Sequence, residues 1–458
     1  MDYIKNIIES LQEIIQIKTV QDNPVEGGPF GLGNKQCLEK VLSLCDKLGF
    51  KTKNLDGYCG YAEIGEGDEI VGIIGHLDVV PEGDGWKYPP YSAKIVDGEM
   101  WGRGTWDDKG PVMISIYAIK ALMDEGFKFN KKVRLIFGCN EESGSRCVAH
   151  YLKVEGDISY GVSPDSAFPV IFGEKTINGI LISGDSVDSG DVKLVSLDGG
   201  IVVNAVPDIC RFTLTYQDEK EINKVLTTLT KYFKENSIES SYKKEDGKVL
   251  YEVYGKACHG SVPQYGVNAI SYALVGLSKA IDNSFAKFYA NCIGTCVHGE
   301  KMGCFAEDEY GKIAVNIGIA KTENGKFNIA INSRLPFNTN SKLMVDQIKE
   351  TVKDYNVEVK LLGDSKGFLI DKDSIMIKSL VEAYQKVTHD YESKPICSAG
   401  GTYAREFNNC VAFGPEMKGY GEIIIHQPNE RIQLRAIEDI FKIYKSAYKD
   451  LIEKVSFK

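Results

Sequence analysis

The chain has 458 residues, 43% of them hydrophobic, and its 54 Lys and Arg against 64 Asp and Glu give a formal net charge of −10. That length suits two or three domains of ~100 to 200 residues with ample core. The acidic balance argues against nucleic acid or an anionic membrane as partner, and no apolar run reaches the ~18 residues of a membrane span. Twelve cysteines without a secretory leader point to reduced thiols and a cytoplasmic location rather than a disulfide framework.

Ile4, Ile7, Ile8, Leu11, Ile14 and Ile15 share one helical stripe, which predicts a core-facing N-terminal helix rather than a targeting segment. A flexible Gly-rich loop over 27–33 and a helix over 36–48 follow. Residues 69–75 (EIVGIIG) are short, apolar and β-branched, as befits a strand buried on both faces of a parallel sheet. His76 falls at its carboxyl end, the edge at which open α/β sheets bind their ligands. Asp78 is spaced to accept one imidazole N–H and leave the other ring nitrogen for a metal. Alone, His-x-Asp reads more simply as a strand-end histidine beside a solvated aspartate.

The loop 102–110 (GRGTWDDKG) places Asp107 and Asp108 ahead of a helix predicted over 112–125. Capping explains one aspartate there, but not the surrounding Gly-rich loop. A strand over 132–138 (KVRLIFG) runs into Asn140, Glu141 and Glu142. Neighbouring side chains of an extended segment point opposite ways, so one glutamate is expected on a metal and the other toward the substrate water. A third strand over 158–162 leads to Asp165, and a fourth over 422–425 (EIII) leads to His426. Two imidazoles with three or four carboxylates, one able to bridge, form the ligand set of a paired-metal hydrolase with ions about 3.5 to 4 Å apart. Amide hydrolysis follows from that chemistry.

From about 170 to 372 the pattern changes to strands (201–203, 210–215, 249–254, 327–332) and helices (219–236, 268–282). This predicts an α+β domain with an antiparallel sheet, inserted into a catalytic domain that resumes near Asp373 with helices over 374–388 and 434–455. The expected fold is α/β: a discontinuous catalytic domain, 1–170 with 373–458, holding a mostly parallel central sheet flanked by helices, plus the insertion, 171–372. Within the insertion, His259 sits in a Gly/Pro-bordered turn before a helix and reads equally as a solvated turn residue. Cys292, Cys296, His298 and Cys304 lack a close C-x2-C pair and read as buried or idle thiols rather than as zinc ligands. Lys109 is expected to pair with a nearby acid.

The motifs HLDVVP (76–81), GRGTWDDKG, NEE (140–142), SPD (163–165), GGTYAR (400–405) and HQPNE (426–430) together resemble the M20 metallopeptidases, above all the PepV-type dipeptidases with the carnosinase-like Xaa-His branch. The resemblance implies that Asp107 bridges two divalent metals, zinc foremost with manganese or cobalt as alternatives. His76 and Asp165 would hold one ion, and Glu142 and His426 the other. Glu141 would be the general base and Asp78 the residue that orients His76, with a cis peptide between Asp107 and Asp108. The insertion would act as a lid whose His259 stabilises the oxyanion and whose Asn204 is a second contact. Arg334 and Arg405 suit a substrate carboxylate through a bidentate fork and equally suit structural ion pairs; Gly401 belongs to a loop offering backbone contacts. The implied activity is hydrolysis of dipeptides with a free amino terminus, by a monomer acting on small peptides. The alternatives are an N-acyl-amino-acid deacylase or tripeptidase, and a non-catalytic metal- or peptide-binding protein.

Overall fold

The computed structural model describes residues 1–457 and divides into two compact units, Met1–Glu174 with Leu369–Lys458, and Lys175–Phe368. In the first unit, the N-terminal stripe becomes the helix Tyr3–Ile15, capped by Asp2 and burying Ile7, Leu11, Ile14 and Ile15. The next helix, Leu32–Lys47, starts inside the Gly-rich stretch, four residues before its expected start. Gly33 explains the difference: a Cβ there would lie 1.8 Å from the Lys18 carbonyl oxygen, so this glycine serves close packing rather than loop freedom.

The sheet of this unit is parallel at its centre and mixed toward its edges, where Ile396–Ser398 pairs in parallel with Ile171–Glu174. Strand Ile70–His76 lies between Lys132–Gly138 and Tyr160–Ser163, and Tyr160–Ser163 in turn pairs in parallel with Cys410–Ala412. Cys59–Ile64 and Lys51–Leu55 continue the sheet antiparallel on one side, and Ile171–Glu174 meets Cys410–Ala412 antiparallel on the other. The helix Lys109–Asp124 is buried over most of its length, as its almost wholly apolar sequence requires.

Residues 422–425 form no strand; they are irregular and partly exposed. A β-branched run becomes a strand only where a neighbour completes its pairing, and the place beside Tyr160–Ser163 is taken by the fully buried Cys410–Ala412.

The second unit is an antiparallel eight-stranded sheet with helices Glu219–Glu235, Ala269–Ala280, Ser284–Cys292 and Ser341–Thr351. Its core joins Ile222, Leu229, Ile270 and Leu274 of the helices to Phe212, Tyr251 and Ile329 of the strands. The expected strand at 201–203 is absent: the segment is irregular, and Ile201 is 94% exposed. It follows strand Lys193–Gly199 and packs against strand Ala314–Glu323 without joining its ladder: a Cβ on Gly318 would lie 2.3 Å from the Val203 carbonyl oxygen. No helix among the described residues is long and apolar enough to cross a membrane.

Candidate metal centre

Three neighbouring parallel strands bring their carboxyl ends together in the first unit. Ile70–His76 ends in His76; Lys132–Gly138 leads to Glu141 and Glu142; Tyr160–Ser163 leads to Asp165. Asp107 comes from the loop before helix Lys109–Asp124, and the peptide bond joining it to Asp108 is cis. His426 comes from the irregular segment, with a left-handed φ of 58°.

Asp107 is the centre of the group. Its Oδ1 lies 2.9 Å from His76 Nε2 and its Oδ2 lies 2.9 Å from His426 Nε2. His426 Nε2 is also 3.2 Å from Glu142 Oε1, and Asp165 Oδ2 is 3.8 Å from His76 Nε2. Two sets of possible ligand atoms fall within 4.8 Å of one another among the described residues: His76 with Asp107 and Glu142, and His76 with Glu141 and Asp165. The Cys292, Cys296, His298 and Cys304 group is not one of them; Cys292 and Cys304 are buried thiols, and His298 Nδ1 is 2.7 Å from the Ile313 carbonyl.

The electrostatics are those of a crowded anionic pocket. Burial pushes Glu141 up to about 8, helped by Glu142, Asp78 and Asp107 and opposed by His76. Burial, and then Asp107, raises Asp165 well above the usual carboxylate range. Asp107 moves the other way: burial favours its neutral form, but hydrogen bonds from His426 and His76 override it. The same contact, with Glu142, lifts His426 to about 10. Imidazole nitrogens and carboxylate oxygens at these spacings fit divalent cations such as zinc, manganese or cobalt.

Asp78 faces His76 with both of its groups: Nδ1 is 2.9 Å from the Asp78 backbone carbonyl and 3.6 Å from its carboxylate. The carboxylate also accepts the backbone N–H groups of Glu141 and Glu142, at 3.0 and 3.1 Å. It therefore holds both glutamates in place. Asp108, fully buried, accepts the His76 backbone N–H at 3.0 Å. Among the described residues Lys109 makes no ion pair: its buried ammonium donates to the carbonyls of Ile14 and Ile17 at 3.1 and 2.8 Å, at the carboxyl end of the first helix, where a cation is favoured.

The chain matches the family model "Peptidase family M20/M25/M40" over residues 72–450. It belongs to that peptidase family. A Bacillus subtilis relative named "Putative dipeptidase YtjP" is 33% identical over 98% of this chain and 97% of that protein. Among solved structures, human carnosine dipeptidase 1 matches at a TM-score of 0.58 and 16% identity, over 98% of this chain and 97% of that one. The aminoacylhistidine dipeptidase of Vibrio alginolyticus gives 0.58 and 13%, over 98% and 96%. These likenesses show the M20 peptidase fold.

The remaining residues expected at the site divide between the units. In the first, Arg405 Nε is 3.0 Å from Glu174, and Nη2 donates to the Gly400 carbonyl at 2.9 Å. Thr402 also donates to Glu174, and a Cβ on Gly401 would lie 2.6 Å from the guanidinium. Arg405 is thus engaged in folding the 400–405 loop onto a buried carboxylate. In the second unit, Asn204 and His259 are brought together: Gly260 N–H donates to the Asn204 carbonyl at 2.7 Å, and Ala205 bridges His259. Arg334 is buried, with Nη1 donating to Asn332 Oδ1 at 2.6 Å.

Sequence reasoning missed Arg103 and Glu430, both buried, and Tyr403, whose ring sits edge-on to His76 with centroids 6.2 Å apart. Arg103 and Glu430 stand inside the motifs, but nothing local to either indicates a partner 327 residues away.

Proposed function

We propose that this M20 peptidase is a metal-dependent dipeptidase that cleaves dipeptides bearing a free amino terminus, with two divalent ions shared across Asp107. The observation that carries the reading is the placement of the two Asp107 oxygens, one 2.9 Å from His76 and one 2.9 Å from His426. His76 and Asp165 would hold one ion and Glu142 and His426 the other. When bound, such ions polarise the scissile carbonyl and lower the pKa of water.

This chain's residues supply the proton traffic. Glu141, set by Asp78 through its backbone N–H, takes a proton from the attacking water and delivers it to the leaving amine. Its raised proton affinity, about 8 without ions, falls toward neutrality when cationic charge enters the pocket. His259, in the unit read as a lid, donates to the developing oxyanion, with Asn204 beside it. Arg334 pairs with the substrate carboxylate. The dipeptidase name of the Bacillus subtilis relative supports the substrate class.

The test is hydrolysis of a dipeptide such as β-alanyl-histidine, its N-acetyl form and a tripeptide, by protein reloaded with zinc, manganese or cobalt. Cleavage of the free-amine dipeptide alone is expected. Preference for the acetylated form would assign the chain to the deacylases, and preference for a tripeptide to the tripeptidases.

A further inference from the structure

Three motif segments distant in sequence converge on one buried ion pair. Glu430 Oε1 accepts the N–H groups of Gly104, Trp106 and Asp107 at 3.0, 2.9 and 3.4 Å. Its Oε2 accepts Arg103 Nη1 at 2.7 Å, and its backbone carbonyl accepts Gly102 N–H at 3.0 Å. Arg103 Nη2 reaches the carbonyls of Pro81 and Glu82 at 3.4 Å. The segment after His76, the loop carrying Asp107 and the segment carrying His426 are thereby tied at one point. Neither charged side chain has a task in the hydrolysis described above. A buried ion pair is also weak as a source of stability, because desolvation offsets most of the attraction. What it does provide is fixed geometry.

The two imidazoles need that geometry unequally. His76 ends a strand paired on both sides, its Nδ1 is on the Asp78 carbonyl, and its N–H is tied to Asp108. His426 has no strand around it, and its side chain is 52% exposed. Its segment is anchored further on, where Asn429 Oδ1 accepts Lys87 N–H at 2.7 Å and where Glu430 enters the interior.

We propose that the Arg103–Glu430 pair is a positioning device for the metal centre: it fixes His426 against the loop that carries Asp107, so the ion held by His426 and Glu142 depends on it far more than the ion held by His76 and Asp165, whose histidine is fixed by its own strand. The inference rests on the two-ion reading given under the proposed function. Outer residues that orient metal ligands change affinity by about 10- to 100-fold when altered.

The experiment is zinc titration of chelator-stripped full-length protein with metal counting, alongside cobalt absorption spectra and thermal unfolding. It compares wild type, Glu430→Gln, which keeps an acceptor for the three N–H groups but loses the charge, and Arg103→Lys, which keeps the charge but loses the fork. The expected result is two zinc-binding steps in wild type. In both variants one step is retained and the other is weakened about 10- to 100-fold, with a changed cobalt spectrum for the weakened site. Two unaltered steps in a folded variant, or equal weakening of both steps, overturns the proposal. A single step in wild type overturns the two-ion reading itself, which separates the two failures.

Discussion

The carboxylate of Asp78 accepts the backbone N–H of Glu141 at 3.0 Å, so the turn after one strand fixes the proposed base at the end of the next. The second Asp78 oxygen does the same for Glu142. Asp78→Asn replaces one acceptor oxygen by an NH2 group that can only donate, facing an N–H. The expected outcome is a kcat about 10- to 100-fold lower with KM little changed, read in steady-state kinetics of the metal-loaded enzyme. Unchanged kcat would remove Asp78 from the account.

Gly75 stands where strand Ile70–His76 meets the following helix. A Cβ there would lie 2.4 Å from Val112 Cγ2 and 2.5 Å from Asp108 Oδ2. Gly75→Ala therefore pushes Asp108 off the His76 N–H and overpacks the core, at a cost of about 1 to 3 kcal/mol. Denaturant unfolding checks this, and zinc affinity should fall with stability.

Glu174 is fully buried and depends on Arg405 and Thr402. Arg405→Ala leaves that carboxylate without its cation, and breaking such a pair costs about 3 to 5 kcal/mol. Adding Glu174→Gln to the same chain should recover much of the loss. If single and double variants unfold alike, the pair does not brace the loop.

The metal-free protein should lose stability as pH rises. Glu141 and Glu430 have folded values raised from 4.5 to about 8 and about 7, mainly by burial, so the folded state holds their protons longer than the unfolded state does. His426 is raised from 6.5 to about 10 by Asp107 and Glu142; its stabilising contribution is complete below 6.5 and gone above about 10. In each window the folded state binds more protons, and stability falls with pH. Thermal unfolding of stripped protein checks this between the ordinary imidazole range and about 10. Saturating zinc should abolish or invert the trend, because cations replace the protons.

Much of the centre was legible because its signals are local. His76, the Glu141–Glu142 pair and Asp165 each follow an apolar run that must be a strand, and a strand end carries its next side chains to a known edge. His426 was legible only as part of a motif, since the strand expected before it does not exist. Cys410–Ala412, which takes that place in the sheet, is three residues long, too short to show a period. Burial was likewise invisible at Glu430 and Arg103: charged side chains read as solvent-facing until the partner is known. The exposed run 201–203 misled in the opposite direction, because β-branched composition says nothing about whether a segment enters the ladder of the strand beside it.

The central claim, two ions serving a glutamate base, is tested most directly by comparing stripped wild type with Glu141→Gln during zinc titration, following bound metal and dipeptide cleavage together. The account predicts that both chains bind two zinc ions, that wild-type cleavage appears as the pair fills, and that the variant is slower by about 100- to 10,000-fold. A variant that cleaves at the wild-type rate, or a wild type that fills both positions and leaves every dipeptide intact, would contradict it.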